Sequence, residues 1–93
     1  MSETPIYTRI SYWIQNYSRS PAEDRRCVED FVTCETYEAI NSLRAELLGM
    51  AKGRFDHEAT GKIVGKGREV LHGSFDQWAK IMLLWLSEYS KRS

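Results

Sequence analysis

An all-α fold is predicted, a small bundle of about four helices with a glycine- and lysine-rich connection before a central C-terminal helix. Three observations carry that expectation. Apolar residues recur at spacings of three and four along most of the chain. Capping signals stand in front of the periodic runs, and glycines stand behind two of them. The longest apolar run, "IMLLWL" at 81–86, is too short for a membrane span, which needs about 20 residues.

The first helix is expected at about 5–18. Thr4 before Pro5 reads as an N-cap followed by proline at the first helical position. Ile6, Ile10, Trp13, Ile14 and Tyr17 then share one face. Pro21 disfavours helical geometry at Ser20, so this helix should end near Arg19. "SPAE" at 20–23 has the form of a capping box and opens a second helix that buries Val28, Phe31 and Val32. After Thr33 the apolar phase changes: Ile40, Leu43 and Leu47 centre on another face. A break is therefore expected between Thr33 and Thr36, with either threonine able to cap a new helix. That helix should run to about Lys52 and stop at Gly53, a natural position for the left-handed conformation.

Residues 54–73 are harder to read. Phe55, Ala59, Ile63 and Val70 would share a helical face. Gly61, Gly65 and Gly67 oppose it, each costing about 1 kcal/mol relative to alanine inside a helix. One or two short helical turns around a glycine bend are expected, with a "KIV"/"EVL" hairpin as the alternative. Ser74 and Gln77 cap the last helix. Phe75, Trp78, Ala79, Met82, Trp85, Leu86 and Tyr89 form its apolar stripe, while Ile81, Leu83 and Leu84 flank or oppose it. A helix so apolar should be buried on several sides, or covered on its outer face by another chain.

Ninety-three residues with 42% hydrophobic and 28% charged side chains suit one soluble globular domain spanning 1–93. Zero net charge gives no general attraction to nucleic acid or membrane. Its distribution is uneven: residues 1–50 carry eight acids and five bases, and residues 51–93 carry the reverse. Cys27 and Cys34 do not make a disulfide framework. "MSETPIYTRI" has neither a basic start nor an apolar core, so no signal peptide is expected, and a reducing, cytoplasmic setting fits best.

No catalytic or metal constellation emerges, and no cofactor is expected. "GKIVGKG" lacks the four-residue spacing and terminal hydroxyl of a P-loop. Asp56, His57 and Glu58 are adjacent, so they do not share a helical face; Asp56 reads instead as an N-cap. Cys27, Cys34, His57 and His72 match no familiar zinc spacing. An enzyme thus ranks third among the readings. The leading one is a small helical protein-interaction module, a regulatory or adaptor subunit that self-associates as a homodimer or docks on another protein. Its anchors would be Ile81, Leu83 and Leu84, with Tyr89 nearby. The second is weak nucleic-acid or phosphate-ligand binding by Lys62, Lys66 and Arg68, assisted by Lys52 and Arg54.

Overall fold

A computed structural model describes residues 7–18 and 20–92. Among them the chain forms six α-helices: α1 Thr8–Asn16, α2 Asp24–Cys34, α3 Tyr37–Ala51, α4 His57–Ile63, α5 Lys66–His72 and α6 Phe75–Arg92. The all-helical expectation holds, with six helices in place of about four because residues 54–73 fold into α4 and α5. Gly65 makes the bend between them at φ 94°, a conformation that costs glycine nothing extra. The hairpin alternative does not form.

Local signals place most boundaries. Thr36 starts α3, its hydroxyl accepting the Ala39 N–H at 3.1 Å. Asp56 starts α4 by accepting from Ala59 N–H at 2.8 Å. Ser74 receives the Gln77 N–H at 3.2 Å ahead of α6. The end of α3 is a complete Schellman closure around Gly53 at φ 84°. There Gly53 N–H reaches the Met50 carbonyl and Arg54 N–H the Gly49 carbonyl, both at 3.0 Å.

Two expected starts turn out differently. The Ser20 side chain makes no capping bond, and Pro21–Glu23 forms a 3-10 turn before α2 opens at Asp24. The Ser20 hydroxyl loses its place to a tighter turn that proline favours. At the front of the chain, Thr4, Pro5 and Ile6 lie outside the described residues, as does Arg19. From Tyr7 onward the cap of α1 comes from a different helix. The Glu46 carboxylate of α3 accepts Arg9 N–H at 2.9 and 3.0 Å and Ile10 N–H at 3.0 Å. It thereby supplies acceptors, and negative charge, to the otherwise unsatisfied first turn of α1. Replacing Glu46 with alanine should cost about 1–2 kcal/mol in urea denaturation, with amide exchange rising first at Arg9 and Ile10. An effect below a few tenths of a kcal/mol would show the contact to be incidental.

The core is built from Ile10 and Trp13 of α1, Val28 and Phe31 of α2, Leu43, Leu47 and Met50 of α3, and Phe75, Trp78, Met82 and Leu86 of α6. Helix α6 packs against α2, α3 and α5, which makes it the central element. The expected stripe is buried except for Trp85, which is half-buried at its edge. The opposite side of α6 faces solvent, so this helix is covered on fewer sides than its composition suggested. Helices α4 and α5 are seven residues each, too short to persist by themselves. Thr60, Val64 and Arg68 anchor them in the interior.

Candidate functional site

Helix α6 presents one continuous outward face. At 100° per residue, Gln77, Lys80, Ile81, Leu84, Ser87, Glu88 and Lys91 fall within 60° or so of Leu84. Gln77, Lys80, Leu84, Ser87 and Lys91 are exposed, and Ile81 and Glu88 are intermediate. Leu84 is 60% exposed at the middle of this face. Beside it, His72, Gln77, Lys80, Ile81 and Leu84 line a shallow depression where α5 meets α6. His72 brings the end of α5 to this depression, and its chain neighbours Val70 and Leu71 are 81% and 61% exposed. The Nε2 of His72 is buried with no hydrogen-bond partner among the described residues.

The four expected anchors therefore divide. Leu84 and Ile81 lie on the outward face. Leu83 is partly buried against the core. Tyr89 belongs to the core, and its hydroxyl accepts a bond from Arg25 Nε of α2 at 3.1 Å. Both Leu83 and Tyr89 sit 100° or more around the helix from Leu84, which is the geometric reason they turn inward.

The basic set divides as well. Lys52, Arg54, Lys62 and Lys66 are exposed. Arg68 is not: its side chain is 5% exposed and paired with Asp24, itself 1% exposed. Arg68 donates through Nε to Asp24 Oδ2 and through Nη2 to Asp24 Oδ1, each at 2.8 Å. It also reaches the Val64 carbonyl at 2.8 Å and the Ser18 carbonyl at 3.0 Å. Asp24 further accepts from the Ser18 hydroxyl at 2.6 Å and from Trp78 Nε1 at 3.0 Å. This network joins α2, α5, α6 and the segment before the 3-10 turn. Expected as a surface phosphate contact, Arg68 is corrected to an internal brace, since its guanidinium is buried and already paired with the Asp24 carboxylate. A signal for it nevertheless lies in the sequence. Asp24 is three, four and seven residues ahead of Cys27, Val28 and Phe31, in register with the buried face of α2. A charge in that register demands a buried counter-charge.

Lys62 and Lys66 border a cleft between α4 and α5 together with His57, Glu58, Gly61, Glu69 and Phe75. Two lysines and two glutamates line it, so their formal charges balance. His57 hydrogen-bonds Glu69 across it and lies 5.3 Å from the Phe75 ring, centroid to centroid. No serine, threonine or cysteine is among the residues that line this cleft.

The cysteines lie on α2, both free, Cys27 buried and Cys34 exposed. Burial pushes the Cys27 thiol above its ordinary pKa, and its Sγ donates to the Tyr17 carbonyl at 2.9 Å. It is an uncharged packing group. Among the described residues no cluster of three His, Cys, Asp or Glu side chains is placed to hold a metal ion. None of the described helices is long and apolar enough to cross a membrane.

Comparison with other proteins adds nothing to this geometry. No family model, curated protein or solved structure significantly matches the chain.

Proposed function

We propose that the protein is a small helical interaction module, a regulatory or adaptor subunit that docks on a protein partner through the outward face of α6. The observation that carries this is the 60% exposure of Leu84 at the centre of that face, with half-buried Ile81 one turn away and a depression alongside. Single exposed leucines are ordinary. This one is joined by Ile81 and bordered by His72 at the end of α5. An apolar centre inside a polar rim is the general anatomy of an interface. Two free thiols suit work in a reducing compartment such as the cytoplasm.

A photo-crosslinking amino acid placed at Leu84, and separately at exposed Glu29 on α2, tests the reading in cells that express the protein. Discrete adducts from position 84, with none from 29, are the expected result. Equal labelling at both positions, or no adduct at 84, would count against docking through α6.

A further inference from the structure

We infer that the occupant of this face is a second copy of the same chain, packed so that the two α6 helices run antiparallel and cross at Leu84. The inference rests on the docking role of α6 and adds the partner and its orientation. Its basis is the order of charges along the face. Lys80 stands four residues before Leu84 and Glu88 four residues after it. With a rise of about 1.5 Å per residue, each is about 6 Å from the centre, on opposite sides. Within one chain they are therefore about 12 Å apart along the axis, too far to pair.

A two-fold axis through Leu84 can align the helices in two ways. The parallel arrangement sets Lys80 level with Lys80, Glu88 with Glu88 and Lys91 with Lys91, so like charges meet throughout. The antiparallel arrangement sets Lys80 level with Glu88 of the other copy, twice by symmetry, and Lys91 level with Gln77. Lys80 and Glu88 lie about 40° to either side of Leu84, close enough to the seam for both flexible side chains to cross it. Both have local neighbours: Lys80 lies 4.0 Å from Asp76, and Glu88 lies in the field of Arg25. The two Leu84 side chains meet on the axis, and Ile81 faces Ser87.

One helix face covers less than the roughly 800 Å² per partner of a standard stable interface. The dimer is accordingly weak, with a dissociation constant above about 10 µM. Sedimentation equilibrium on the full chain from about 10 µM to about 1 mM, in low salt, measures it. Lys80→Glu and Glu88→Lys each bring like charges level twice per dimer, and each should weaken association about tenfold. The double variant carrying both reversals should recover to within about threefold of the original. Thermal unfolding of the single variants separates lost association from lost folding. A wild-type chain that stays monomeric to 1 mM overturns the inference. A dimer indifferent to the single reversals, or one that the double variant fails to restore, overturns it too. Adducts at Leu84 to a different protein, beside a monomeric chain, would remove the second copy while leaving docking through α6 intact.

Discussion

Replacing Arg68 with methionine is expected to destabilise the fold by about 3–5 kcal/mol, the cost of leaving one partner of a buried ion pair uncompensated. Methionine keeps much of the length of the side chain and removes the guanidinium. Asp24, 1% exposed, is then left with the Ser18 hydroxyl and Trp78 Nε1 as its side-chain donors. Domains of this size hold about 5–15 kcal/mol in total, so the variant should approach unfolding at room temperature. Urea denaturation followed by circular dichroism checks it. A second substitution, Asp24→Leu in the same chain, should recover part of the loss, because the orphaned charge goes with it. A loss below 1 kcal/mol in Arg68→Met would mean that water reaches the pair.

Trp13→Ala should cost a similar amount, about 3–5 kcal/mol, from lost burial and the cavity left behind. The Trp13 ring is fully buried, stands 6.3 Å from the Trp78 ring and donates Nε1–H to the Cys27 carbonyl at 3.3 Å. Helix α1 has nine residues, and its buried side chains are Ile10 and Trp13, so removing the larger one should release it from the bundle. Trp13→Phe keeps most of the apolar area and gives up the N–H, for which about 1 kcal/mol is expected. Hydrogen exchange distinguishes the outcomes. In Trp13→Ala the α1 amides should exchange well ahead of those in α3 and α6, and uniform exchange would show that α1 is integral to the cooperative unit.

What was legible in the sequence was local. Thr36, Asp56 and Ser74 cap helices with N–H groups three residues away, and Gly53 closes α3 within five. Such signals survive in one dimension because both partners sit in the same short window. The buried stripe of α6 was legible for the same reason. Four other features were not. Arg68 meets Asp24 across 44 residues, Trp78 meets Asp24 across 54, Glu46 caps α1 across 37 and His57 meets Glu69 across 12. Arg68 misled because an arginine beside Lys62 and Lys66 reads as one more solvated cation, and only tertiary packing turns it inward. For the outward face of α6 the anchors were legible in part. Ile81 and Leu84 stand off the stripe by angle, whereas Tyr89 lies within the stripe and Leu83 at its flank, so the same angles already turned those two inward.

The Asp24–Arg68 junction also has a bearing on time. Its members come from the segment before the 3-10 turn, the first residue of α2, the middle of α5 and the first turns of α6. A desolvated carboxylate is tolerable only once the guanidinium, hydroxyl and indole have all arrived. The junction can therefore close only after the hydrophobic helices have already come together, late on the path to the native state. Its loss should then leave the refolding rate nearly unchanged and appear almost wholly as faster unfolding. The ion pair acts as a latch whose main effect is on how long the native bundle lasts.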